Sequence, residues 1–136
     1  MISDELARDL ASAGVRWHPE AGDRFRIQKQ ALTEEVFTVS DMVIEEHHHE
    51  SGSFFGFNGT TEWALDSVPS SDTLWLPRED QLRALLGAAF CSLEASDGGF
   101  VVVAQVVGHE VIRAHAADPA DAYALAVLDL VALSNT

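Results

Sequence analysis

Hydrophobic positions along this chain follow two different periods, and each marks a different kind of element. The run Gly99-Phe100-Val101-Val102-Val103-Ala104-Gln105-Val106-Val107 is nearly continuous and rich in β-branched residues. It reads as the central strand of a sheet covered on both faces. Ser92 to Ala95 before it and His109 to Ala116 after it complete an antiparallel meander, with Ser96-Asp97-Gly98-Gly99 as the turn. In the last strand His109, Val111, Arg113 and His115 alternate with Glu110, Ile112 and Ala114, which predicts one polar and one apolar face.

Earlier in the chain, Arg24-Phe25-Arg26-Ile27-Gln28 alternates as a half-buried strand with Phe25 and Ile27 inward. Residues 29–34 form a polar loop, and 35–45 read as one longer strand. Ser53 to Phe57 returns beside it. Asn58-Gly59 is a strong turn signal, and a further strand runs from Thr60 to Val68. Residues 69–73 are the candidate internal link of an otherwise single domain.

Three stretches carry the helical period instead. Ser3 caps a helix from about Asp4 to Ala13, with Asp4 and Glu5 in its first turn. Leu74-Trp75-Leu76 leads into a second helix with Pro77 at its first position and Leu82, Leu85, Leu86 and Ala89 as its apolar face. Glu79 and Arg83 are spaced for an i,i+4 pair. Gly87 weakens this helix by about 1 kcal/mol relative to alanine. Asp118-Pro119 starts a third helix that reaches about Leu133 and is apolar nearly all round. Such a helix is either deeply buried or the contact of a homodimer. The elements sum to a single α+β domain over 1–136: an antiparallel sheet of about five or six strands packed by three helices.

Composition narrows the function. With 47% apolar residues among 136, the chain can bury a core unaided. Asp and Glu total 22 against 8 Lys and Arg, a net charge of −14. That balance repels phosphate backbones and argues against nucleic-acid partners, while leaving room for a metal, a neutral ligand or a basic protein partner, whose basic surface the chain would occupy as an acidic mimic. No stretch approaches the ~18 apolar residues of a membrane span. No signal segment is visible, so a cytoplasmic location is expected. Cys91, the lone cysteine, excludes a disulfide framework and reads as a buried thiol.

Two stretches are candidates for chemistry. Glu45-Glu46-His47-His48-His49-Glu50 is the most conspicuous polar run. In a strand His47 and His49 share a face, and a His-x-His pair can hold zinc. Structural zinc takes four ligands, however, and His18, His109 and His115 lack the spacing to join this run. The competing reading is a solvated hairpin tip. The second stretch is 56–66, where Asn58, Thr60, Thr61, Glu62, Trp63 and Asp66 combine an amide, hydroxyls, carboxylates and an aromatic wall suited to a small polar ligand. Turn chemistry accounts for Asn58-Gly59 equally well. No phosphate loop, dinucleotide fingerprint, His-Glu-x-x-His or Gly-x-Ser-x-Gly is present.

Asp23-Arg24-Phe25, Glu35-Val36-Phe37, the whole of 56–66 and Trp75-Leu76-Pro77-Arg78-Glu79-Asp80-Gln81-Leu82 resemble a family of small actinobacterial proteins that often carry a pilus-assembly label. More loosely, the order of elements is similar to small phage-encoded α+β proteins. Neither resemblance implies catalytic residues. The expectation is therefore a non-enzymatic binding or adaptor module. The alternative is a small-molecule-binding or metal-dependent enzyme using 56–66 or the histidine run.

Overall fold

The computed structural model describes residues 1–28, 35–39, 43–49, 52–58, 67–69 and 72–135, with backbone alone for 43–49, 52–58 and 67–69. Among the described residues there are three α-helices, α1 (Asp4–Ser12), α2 (Glu79–Leu86) and α3 (Pro119–Ser134). The strands are β1 (Arg24–Ile27), β2 (Phe37–Thr38), β3 (Val43–His49), β4 (Gly52–Asn58), β5 (Ser67–Pro69), β6 (Thr73–Leu76), β7 (Phe90–Ser96), β8 (Gly99–Ala104) and β9 (Ile112–Ala116). The class is α+β, as expected. The strands do not form one sheet of five or six: they form three antiparallel sheets of three, ordered β2-β1-β6, β3-β4-β5 and β7-β8-β9. The chain divides into two compact units, one made of 1–16 with 77–136, the other of 17–76.

Two misread segments explain the different sheet count. The stretch 35–45 is not one strand. Its backbone pairs with β1 for two residues as β2, and the pairing resumes in another sheet as β3. Leu74-Trp75-Leu76 is no helix lead-in either. It is β6, which pairs with β1 along its whole length, from Arg24 opposite Leu76 to Ile27 opposite Thr73. Leu74 and Leu76 are buried while Thr73 and Trp75 are half-buried, an alternation that four residues beside a proline barely reveal. Pro77 then ends the strand, since it has no N–H to continue a ladder. α2 begins two residues later, after an Arg78 whose backbone N–H donates to Gln81 Oε1 at 2.9 Å. Pro77 thus precedes the helix rather than occupying its first position.

In the second unit β3, β4 and β5 form a meander. β3 and β4 pair from Val43 opposite Asn58 to His49 opposite Gly52. The expected strand over 60–68 is described only at its end, as β5; residues 60–66 lie outside the described residues.

The first unit is built around α3, which packs against α1, α2, β8 and β9. Ala120, Ala122, Tyr123, Ala124, Ala126 and Val127 are all buried. Burial therefore accounts for the apolar pattern over the first half of this helix, while Leu128, Leu130, Val131 and Leu133 are half-buried and Ala132 is exposed. Facing elements contribute Ile2, Ala7 and Leu10, Leu82 and Leu86, Val102 and Ala104, and Ile112 and Ala114. Burying one such leucine or isoleucine contributes about 1.5–3 kcal/mol. The outward residues of β9, Arg113 and His115, are exposed, as the alternation predicted.

β8 is the central strand of its sheet but ends at Ala104, not Val107. The chain turns there, with His109 N–H donating to the Val106 carbonyl at 3.0 Å, and Val107 is left 97% exposed. Gly99 is required where β8 starts, because a Cβ there would collide with the Ala116 carbonyl oxygen. Gly87 does more than weaken α2: it ends the helix at φ 56°, a conformation glycine adopts without steric cost.

Carboxylates tie the N-terminal segment to the first turn of α3. Asp118 Oδ1 accepts from Ala120 N–H at 2.8 Å, and its Oδ2 accepts from the Met1 ammonium at 3.0 Å. Asp121 Oδ1 accepts from Ser3 N–H at 2.7 Å, while Ser3 Oγ caps α1 by accepting from Leu6 N–H at 3.3 Å. Burial opposes ionisation of Asp118, but the hydrogen bonds from the Met1 ammonium and Ala120 outweigh it and hold the carboxyl below its ordinary value.

Three outcomes are expected. Leu82→Ala, at a fully buried position, lowers stability by about 2–5 kcal/mol in denaturant titration. Leu85→Ala, 41% exposed on the same helix, changes it by no more than about 0.5 kcal/mol. Asp118→Ala costs about 1 kcal/mol at neutral pH. A depressed folded-state pKa gives stability that is fully present above the unfolded carboxylate value and is lost as pH falls through the folded one. The gap between Asp118→Ala and wild type in thermal melts therefore closes below about pH 4.

Candidate functional site

β7 is the feature of the first unit that its own packing leaves incomplete. The register sets Leu93 opposite Val102 and Ala95 opposite Phe100, so these residues share the inner face of the sheet. Val102 is fully buried beneath α3, whereas Leu93 is 37% exposed and Ala95 is exposed. Among the described residues β7 also lies at the end of the strand order, so one side of its backbone has no neighbour in the sheet.

One end of this edge is anchored. Phe90 stacks on Tyr123 with ring centroids 6.0 Å apart, and the Arg83 guanidinium lies 4.2 Å from the Phe90 ring centre. Arg83 is thus engaged with an aromatic face rather than in the expected pair with Glu79. The register then breaks between Phe90 and Ser92, so Cys91 falls out of the ladder. Cys91 is exposed, not buried as its type suggested, and its thiol points to the Ala89 carbonyl at 3.6 Å. Beyond this bulge the strand runs regularly from Ser92 to Ser96. Glu94 is exposed there, and Ser92 Oγ donates to its Oε2 at 2.8 Å. An extended segment laid along this edge would meet apolar Leu93 and Ala95 in alternation with a carboxylate.

The second unit contains a different cluster. Trp17 and Phe25 lie 5.2 Å apart between centroids, and Phe25 and Phe37 lie 5.6 Å apart. Asp23, 2% exposed, is the one buried charged side chain among the described residues. Its Oδ2 accepts from Trp17 Nε1 at 2.9 Å and from Glu20 N–H at 3.0 Å, and its carbonyl accepts from Val39 N–H at 2.8 Å. The carboxylate thus holds the 17–23 loop together and the backbone carbonyl ties it to the segment after β2, which is a structural role. Among the described residues no acceptor meets the buried Trp75 Nε1, at a typical cost of about 1–3 kcal/mol.

Only the backbone of some expected site residues falls among the described residues. His47 and His49 lie on β3, their backbones opposite Phe54 and Gly52. Asn58 ends β4 opposite Val43. The side chains of all three lie outside the described residues, and so do Thr60, Thr61, Glu62, Trp63 and Asp66 entirely. Among the described residues no group of three or more His, Cys, Asp or Glu side chains is placed to hold a metal ion, and no helix is long and apolar enough to cross a membrane. The sequence identifies Ser92 to Ala95 as a strand. Its edge position depends on strand order, for which local pattern carries no signal.

The Cys91 thiol is expected to react with an aromatic disulfide reagent in the native protein at a rate within about threefold of that in denaturant, as exposure requires. A native thiol that reacts only on unfolding would contradict the bulge.

Comparison of the chain with protein-family models, with curated proteins and with solved structures finds no match.

Proposed function

We propose that this protein is a non-enzymatic binding or adaptor module that takes an extended segment of a protein partner along β7. The open edge of β7, with half-exposed Leu93 beside Glu94, supports this reading. Strand addition satisfies the backbone groups of such an edge and presents alternate side chains of the guest to the host. The guest that fits alternates apolar residues with Lys or Arg. Its apolar positions cover Leu93 and Ala95, and its cations oppose Glu94.

Net charge supports the same partner. A chain at −14 attracts basic segments and repels acidic ones before contact. The local terms are small. An opposite-charge pair across strands contributes about 0.2–1 kcal/mol, and covering the rest of Leu93 adds about 1 kcal/mol. Binding is therefore transient and dependent on ionic strength.

The test is selection of a displayed peptide library on the intact protein, followed by titration of the enriched peptides. Enriched sequences are expected to alternate apolar and basic residues. Leu93→Glu and Glu94→Lys are each expected to weaken binding severalfold without lowering the melting temperature. Added salt is expected to weaken binding to the parent protein. Enrichment without this alternation, or binding untouched by Leu93→Glu, would refute the reading.

A further inference from the structure

The sheet of β7, β8 and β9 has a second face, turned away from α3. Val102, Ala104, Ile112 and Ala114 form the row buried towards the helix. The same register fixes the opposite row. Glu94, Val101 and His115 lie at one level across the three strands, and Ser92, Val103 and Arg113 lie at the next. Glu94, Arg113 and His115 are exposed, while Val101 and Val103 are half-buried. An apolar middle strand thus has different chemistry on its two sides. On β7, Ser92 Oγ donates to Glu94 Oε2 at 2.8 Å, and this side presents oxygen acceptors. On β9, Arg113 is a donor only, and the His115 imidazole offers an N–H in either charge state. Among the described residues neither Arg113 nor His115 has an ion-pair partner.

From this placement we infer that the outer face of β7, β8 and β9 binds a second copy of the chain, about a two-fold axis running along β8. Such an axis exchanges the two sides of the face. Glu94 then lies over the second copy's His115 and Ser92 over the second copy's Arg113, while Val101 and Val103 pack on their own counterparts. Sheets stacked this way lie about 10 Å apart with their strands nearly aligned. An axis across the strands would set Arg113 over His115, donor on donor, so one orientation is selected. A two-fold contact requires a self-complementary surface, and this face is one. A basic guest suits Glu94 alone, whereas a second copy suits both sides at once. The net charge of −14 on each chain opposes the approach of two copies at low ionic strength. At physiological salt the Debye length is about 8 Å, which screens that long-range repulsion more than the groups in contact. The face is small beside the roughly 20–30 residues a side of a standard interface, so the dimer is weak. The inference is independent of strand addition at β7, whose free edge lies in the plane of the sheet.

The experiment is sedimentation velocity of the intact protein, without peptide, from about 10 μM to about 1 mM at physiological salt, the range a small contact demands. A monomer–dimer equilibrium is expected, and it should weaken at low salt. Glu94→Arg and Arg113→Glu should each weaken it by about threefold to tenfold, because every facing pair occurs twice across a two-fold axis. Combining Glu94→Arg with His115→Glu should bring the dimer back to within about threefold of the parent, a recovery that requires the two sides to meet. Leu85→Ala, exposed on α2, should leave the equilibrium within about twofold. Melting curves report the fold of each variant. Should Arg113→Glu lose its fold, Glu94→Arg and its combination with His115→Glu decide. A chain that stays monomeric over the whole range would overturn the inference, as would a dimer untouched by Glu94→Arg or not recovered by the combination.

Discussion

Around α3 the first unit must solve a problem of close approach. Ala120, Ala122, Ala124 and Ala126 expose no more than 2% of their surface, and positions two apart on a helix point to nearly opposite sides. The first half of the helix is therefore enclosed, by the neighbours β8, β9, α1 and α2. Small side chains let these neighbours come near, and the larger Tyr123 and Val127 fill the space between them. Other features of the unit follow from that enclosure. The N-terminal segment is tied to the first turn of α3 through Asp118 and Asp121, and α2 turns Leu82 and Leu86 inward.

Enclosing one helix has a consequence at the sheet. α3 covers β8 and β9, and the inner row of β7 emerges past its cover with Leu93 and Ala95 exposed. The bulge at Cys91 and the Phe90–Tyr123 stack hold one end of that strand firmly, so the free part is short and presented in a defined orientation. A short edge carrying one carboxylate is blunted against indiscriminate sheet-to-sheet association. Among the described residues it remains the end strand of its sheet.

The second unit relies on polar closure. Asp23 draws Trp17 and the Glu20 amide onto one carboxylate oxygen, and the Trp17–Phe25–Phe37 row packs beside it. Satisfying a buried carboxylate this way offsets the cost of removing it from water. The sheet of β1, β2 and β6 is thereby joined to the loop that precedes it.

Elements encoded over a few residues were legible in the sequence. Ser3 and Asp118-Pro119 mark helix starts by side-chain chemistry confined to one turn, and both helices begin where those residues predict. The β7-β8-β9 meander follows from runs joined by tight turns, whose partners are neighbours in the chain. The errors share a different cause. Leu74 to Leu76 becomes a strand because β1, some fifty residues away, offers it a ladder. Cys91 is exposed because of a register break that only its partner strand defines, and β7 is an edge because of strand order. Local backbone chemistry thus decided where elements start, stop and turn. Which strands pair, which rows α3 covers and which edge stays open were decided by the tertiary structure, because those depend on contacts between residues far apart in sequence.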